Sequence, residues 1–280
     1  MHIRPHQNNN KPIVDAQDDF VPLNYFNIVK LKQGESFEYT VAGYETCIVP
    51  ATGTVDVVMD GFTATDLGER RENVWDGEPE GVYVPTGRHV TFTCKSDDAE
   101  VFIAGAKFDE VLEPFAVRKD EIDMVQYGSD DSKTHRKIKH ILGQKQHDRV
   151  GRLLVSELYT VGAGGWSGFP PHKHDTDRLP IETRHDETYN YRFRPDHGSA
   201  IQLIQEEGDD HGVGHHVRNG STICLRTGYH PCVAMPGYEM YYFTILGGQS
   251  QRSLKQYFQP EHEYQLKTIP GIMDMVAKFK

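Results

Sequence analysis

The chain has 280 residues, enough for two small domains with separate cores, and it carries 30 Lys and Arg against 41 Asp and Glu for a net charge of −11. That balance argues against a nucleic-acid surface, and no apolar run approaches the ~20 residues a membrane helix needs. A composition of 37% hydrophobic and 10% aromatic residues, with 26 Gly and 15 Pro, suits a protein of strands and turns.

In chain order, the opening Met-His-Ile-Arg-Pro-His-Gln-Asn-Asn-Asn is polar and lacks the apolar segment of a secretory signal. Cys47, Cys94, Cys224 and Cys232 stand singly and read as reduced core or pocket-wall residues, so a cytoplasmic protein is expected. In the first half Glu45 opens Glu-Thr-Cys-Ile-Val, Gly53 follows, and Thr86-Gly87-Arg88-His89 closes the pattern; in the second, Glu187, Gly198 and Thr227-Gly228-Tyr229-His230 repeat it. The Glu-to-His separations are 44 and 43, which predicts two related β-barrels in tandem. The first is expected over 1–118 and the second, with its tail, over 150–280. The N-terminal segment corresponding to the later His-x-His, Gly34 to Thr40, holds no histidine, so that barrel is read as structural. Residues 119–149 are charged, offer turn signals and read as a connector. Their cluster Lys133, His135, Arg136, Lys137 and Lys139 lies beside Asp130 and Asp131 without interleaved aromatics, so a solvated face or a subunit contact is expected. After 260 an amphipathic stretch suits packing on a barrel or across a dimer, and exposed sheet edges predict a homo-oligomer.

The second half carries the chemistry. Side chains two apart on a strand point the same way, so His172 and His174 share a face while Lys173 looks away. The next apolar-rich run places Glu187, Tyr189, Tyr191 and Phe193 on one face, and His230 lies beyond a Gly-flanked turn from a third direction. Three imidazoles with one carboxylate suit one divalent metal per chain, zinc first, with Mn, Fe(II) or Ni compatible.

Glu187 after His-x-His, with Gly-x-His later, looks like the metal motif of the cupin β-barrels. More narrowly, Gly165-Trp166-Ser167-Gly168-Phe169-Pro170-Pro171-His172-Lys173-His174-Asp175, Gly228-Tyr229-His230-Pro231 and Pro236-Gly237-Tyr238-Glu239-Met240-Tyr241-Tyr242 resemble the 5-deoxy-glucuronate isomerase family of myo-inositol breakdown. Gly68-Glu69-Arg70-Arg71 and Val82-Tyr83-Val84-Pro85 extend the resemblance into the first half. Departures fall at Gly165, Gly168, Thr244 and the segment 209–216, near the expected pocket rather than at the ligands. The resemblance implies an all-β chain of two tandem cupin (jelly-roll-like) barrels and an aldose–ketose isomerase acting on 5-deoxy-glucuronate. Such a reaction needs a group to carry a proton between adjacent carbons, and Tyr191 and Tyr242 are the candidates. Gln202, polar in an apolar strand, is the candidate for a sugar hydroxyl. Arg184 and Arg226, on loop and turn positions beside the ligands, are the candidates for the substrate carboxylate, whereas alternation sends Arg192 away. Sulfoquinovose isomerisation, with a sulfonate at the same end of the sugar, is the rival within isomerases. A cupin Fe(II) dioxygenase and a non-catalytic sugar-binding cupin are the rivals from other classes.

Overall fold

Period-two patterning accounts for the outer strands. In Val55–Met59 the residues Val55, Val57 and Met59 are buried while Val58 is half exposed. The inner strands Tyr44–Thr52, Leu153–Thr160 and Glu239–Gly248 are buried along nearly their whole length, as expected of strands covered on both faces. The computed structural model describes residues 1–279; Lys280, the last residue of the expected C-terminal unit, lies outside the described residues. Its strands form five antiparallel sheets of seven, five, four, four and two strands, and the α-helices are the short Gln265–Thr268 and Ile272–Val276. The chain is all-β, as the sequence predicts. No helix among the described residues is long and apolar enough to cross a membrane.

Four sheets stack in layers. The sheet of Ser36–Tyr39, Val90–Cys94, Val55–Met59 and Phe62–Leu67 covers the five-stranded sheet around Tyr44–Thr52 and Asp98–Lys107, with Ile48, Val57, Phe92 and Ile103 between them. The other face of the five-stranded sheet meets the seven-stranded sheet through Phe26, Phe102, Tyr241 and Phe243, the Phe102 and Phe243 rings lying 4.9 Å apart. The far face of the seven-stranded sheet packs on Trp166–Ser167, Cys232–Ala234, Ser199–Ile204 and Val213–Arg218. None of the five sheets closes on itself among the described residues, so the strand pairing departs from the expected closed barrels. Side chains filling the space between facing open sheets can bury the same apolar surface without a continuous ring of hydrogen bonds.

Two boundaries also differ from expectation. Asp123–Tyr127 and Arg136–Leu142 pair with each other and extend the seven-stranded sheet, so 119–149 is more than a connector. Its short apolar strip has strand period: Val125 and Tyr127 are buried while Met124 and Gln126 face out. The first strand, His2–Ile3, crosses to pair with Ile223 and Thr222 of the second half. The halves are further tied by a buried ion pair in which both Nη atoms of Arg70 bond the Glu157 carboxylate at 2.7 and 2.6 Å.

Candidate metal centre

His172 and Lys173 pair with Phe258 and Tyr257 in the two-stranded sheet, and alternation separates their side chains. Lys173 Nζ turns to Asp175, Glu182 and Glu207 at 2.6, 3.1 and 3.2 Å, leaving His172 and His174 to face inward. Glu187 stands on the strand His185–Arg194, centrally placed in the seven-stranded sheet opposite Leu225 and Leu246. His230 follows Gly228, whose φ of +86° and close approach to the Gln205 carbonyl leave no room for a side chain. The turn thereby swings the third imidazole over the other two.

One ring nitrogen from each of His172, His174 and His230 falls in a buried group whose atoms all lie within 4.8 Å of one another. Each ring is tied from behind: Nδ1 of His172 to the Pro170 carbonyl at 2.9 Å, of His174 to His185 at 3.0 Å, and of His230 to Gly228 at 2.8 Å. A carbonyl can only accept, so each Nδ1 carries the proton and each Nε2 presents a lone pair. Glu187 Oε2 lies 3.0 Å from His174 Nε2 and 3.4 Å from His230 Nε2, and the latter contact is too poorly angled to satisfy the nitrogen. The other oxygen, Oε1, accepts from Thr244 Oγ1 at 2.8 Å. Lone pairs on imidazoles beside a carboxylate in a buried site can hold a cation between them, His230 Nε2 has no hydrogen-bond partner, and the donor set fits a divalent metal ion.

The electrostatics distinguish the histidines. Burial drives the His172 ring well below its ordinary pKa, with His230 and His174 pushing the same way. Burial acts downward on His174 too, but the hydrogen bond and charge of Glu187 outweigh it and raise the ring. Burial would raise the Glu187 carboxyl, yet bonds to His174 and His230 hold it below the usual carboxylate range. A carboxylate kept ionised among histidines is a ligand in its binding form.

Beside these groups lies a cavity of about 20 Å³, room for one water-sized group, lined in part by Arg136, Tyr189 and Tyr242 and closed by Leu254, Met275 and Phe279. Tyr242 reaches it as expected, its hydroxyl held by Arg136 Nη2 at 3.1 Å and Ser167 Oγ at 2.6 Å. Tyr191 does not line it; its hydroxyl donates to Gln202 Oε1 at 2.5 Å. Gln202 Nε2 in turn bonds the His230 carbonyl at 2.8 Å, so both side chains brace the His230 turn and leave no free amide for a sugar. Arg184 and Arg226 are also absent from the cavity wall. Alternation explains this: Glu187 and Leu225 face the cavity side, so the even-numbered neighbours Asp186, Thr188 and Cys224 face the five-stranded sheet, and the two arginines lie by Asp186. Arg226 Nη1 bonds the Asp19 carbonyl and Arg184 Nη2 lies 4.0 Å from Asp186.

Tyr189 and Thr244, which the sequence places on the Glu187 face and near the expected pocket, do line the cavity. Arg136, expected within a solvated basic cluster, is instead buried and shares its strand face with Ile138, whereas Lys139 points to Gly77 and Glu78. Alternation within that cluster was the available signal.

A profile of the KduI/IolB family matches residues 2–265. Proteins named 5-deoxy-glucuronate isomerase are similar over most of the chain: that of Shouchella clausii is 30% identical over 84% of this chain and 85% of its own length. That of Bacillus subtilis strain 168 is 30% identical over 86% and 87%. The crystal structure of an IolB-like protein from Salmonella typhimurium LT2 superposes with a TM-score of 0.80 at 26% identity, covering 86% of this chain and 89% of that one. A variant of Bacillus subtilis oxalate decarboxylase superposes with a TM-score of 0.60 at 12% identity over 91% of this chain and 78% of its own, a likeness of fold alone.

Proposed function

The chain belongs to the KduI/IolB family, and we propose that it is a metal-dependent aldose–ketose isomerase that converts 5-deoxy-glucuronate to 5-dehydro-2-deoxy-gluconate. The observation that carries this reading is the convergence of three inward-facing Nε2 atoms and the Glu187 carboxylate beside a cavity, in a chain similar to isomerases of that name. His172, His174, Glu187 and His230 hold one divalent ion, zinc first, with manganese or iron compatible with the same donors. When bound, such an ion polarises the sugar carbonyl and so acidifies the hydrogen on the neighbouring carbon.

The chain supplies the rest. The three backbone carbonyls behind the imidazoles fix their tautomers and aim, and Thr244 fixes the rotation of Glu187. Tyr242 accepts from Arg136; when Ser167 also donates, the phenol proton is free to point into the cavity and hydrogen-bond a substrate oxygen. Tyr191 and Gln202 act behind the site by holding the His230 turn. We read the two halves as two cupin units, the first structural. There Glu45 accepts from the backbone N–H groups of Gly151 and Leu153 and from the Tyr83 hydroxyl, while His89 is exposed. Operation in the cytoplasm as a homo-oligomer, through a sheet edge such as Asp123–Tyr127, belongs to the same proposal. Neither the sulfosugar reading nor the dioxygenase reading has an observation in its favour.

Turnover of 5-deoxy-glucuronate in deuterium oxide, followed by NMR, tests the reaction class. The expected result is loss of the aldehyde signal with deuterium appearing on the former aldehyde carbon, now the hydroxymethyl group, because the enediol is reprotonated there from solvent while C2 becomes the ketone. No conversion, with the ion bound, would overturn the assignment.

A further inference from the structure

Arg136 is a buried cation without a buried anion. Its side chain is 2% exposed, its Nη1 donates to the Tyr127 hydroxyl at 2.7 Å and its Nη2 to the Tyr242 hydroxyl at 3.1 Å. Both acceptors are neutral phenols. Its Nε has no hydrogen-bond partner, and among the described residues it forms no salt bridge. Arg70, buried to the same degree, is matched by both oxygens of Glu157. Enclosing a guanidinium without a counter-charge is expensive, and aromatic faces compensate for it only in part: its carbon lies 5.7 Å from the Tyr127 ring centre and 5.5 Å from that of Phe169. Such a group is retained where an anion arrives with a ligand.

Arg136 lines the same cavity as His172, His174 and Glu187, with Tyr242 bonded to it and facing that cavity too. We propose that Arg136 is the specificity-determining residue that receives the carboxylate of the acidic sugar. The inference rests on the isomerase reading and gives it an orientation. An open-chain sugar acid has its carbonyl and carboxylate at opposite ends, so anchoring the acid at Arg136 leaves the carbonyl and the adjacent C–H for the histidine end. Each Nη keeps a second N–H beyond those given to the phenols, and a carboxylate takes two N–H bonds from one guanidinium. Tyr127 and Tyr242 hold the guanidinium plane in place beforehand. Arg184 and Arg226 flank the strands His185–Arg194 and Thr222–Leu225, and neither lines this cavity.

The test uses binding, so that it stands apart from turnover. Gluconate, which has no aldehyde to isomerise, and the neutral glucitol of equal chain length are titrated into the metal-loaded full-length protein by calorimetry. The expected result is at least tenfold tighter binding of gluconate to the parent protein. R136M should erase that preference, and R136K, which keeps the charge but not the fork, should retain only part of it. If R136M fails to fold by circular dichroism, R136K alone decides: an undiminished gluconate preference overturns the proposal. A gluconate preference unchanged in R136M also overturns it, since the carboxylate is then held elsewhere, the bound ion included. Loss of the preference in R136M from a protein that does not turn over 5-deoxy-glucuronate supports the subsite and sinks only the activity reading. Unchanged KM for 5-deoxy-glucuronate in R136M sinks only the subsite.

Discussion

His174 touches Glu187 through Nε2 and the His185 carbonyl through Nδ1, so its loss removes a ligand and a brace at once. H174A is expected to bind the ion at least a hundredfold more weakly and to lose most isomerase activity, while its circular dichroism remains that of the parent, because the apolar cores around the site are untouched. Unfolding of H174A would mean the ion is structural instead. His140, remote from the ligands, sets a pH dependence of stability. Burial lowers its pKa from 6.5 to about 4; Asp123 opposes this, and Lys278 and Arg252 add to it. The folded state therefore keeps the ring neutral: its contribution is complete above pH 6.5 and is lost as pH falls toward 4. Across that window the loss is on the order of 3 kcal/mol. Urea unfolding between pH 7 and 4.5 should show the parent weakening more steeply than H140Q, and equal slopes would remove His140 from the account. The gathering of His172, His174 and His230 into one buried cluster was legible in the sequence because parity along a strand and a Gly turn dictate where imidazoles point. Arg136 is hidden in the sequence by its charged neighbours, and Arg184 and Arg226 lie just outside the strands His185–Arg194 and Thr222–Leu225, where strand parity does not fix the direction of a side chain.

The C-terminal segment is the element that closes the site. Ile272, Met275 and Phe279 are buried against the core shared with Tyr191 and Tyr242, the Leu254 N–H bonds the Phe279 carbonyl at 3.0 Å, and Lys278 Nζ bonds both oxygens of Asp123 at 2.9 Å. A cavity of about 20 Å³ holds no sugar, and small-molecule pockets run to ~300 Å³ or more, so substrate entry requires these side chains to move. F279A should destabilise the protein by about 3–5 kcal/mol in urea titrations. K278M, which cuts only the clasp, should raise amide hydrogen exchange across 265–279 with little change in global stability. Exchange unchanged in K278M would show that apolar packing alone retains the segment. The sequence showed that this stretch is amphipathic. It could not show which core it covers, since that depends on the strands of residues 119–149, whose alternation is only five to seven residues long and is masked by charge.

At the scale of the molecule, four stacked sheets leave two of them buried on both faces, which is why their strands read as apolar throughout. The composition made the all-β class legible. The open stacking was not, because a hydrophobic pattern fixes which side of a strand is covered and says nothing of whether the sheet closes. Arg70 and Glu157 cross between the halves with both side chains buried. Removing the cation in R70A strands a carboxylate in the interior, and a loss of about 3–5 kcal/mol is expected by urea unfolding. A loss below 1 kcal/mol would mean the halves are held by apolar contact alone. The most direct test of the account is to strip the protein with a chelator and return zinc, manganese or iron in measured steps while following conversion of 5-deoxy-glucuronate. The account predicts no activity in the stripped protein and full recovery at one ion per chain, with no recovery in H174A; full activity in metal-free protein, or a requirement for two ions per chain, would contradict it.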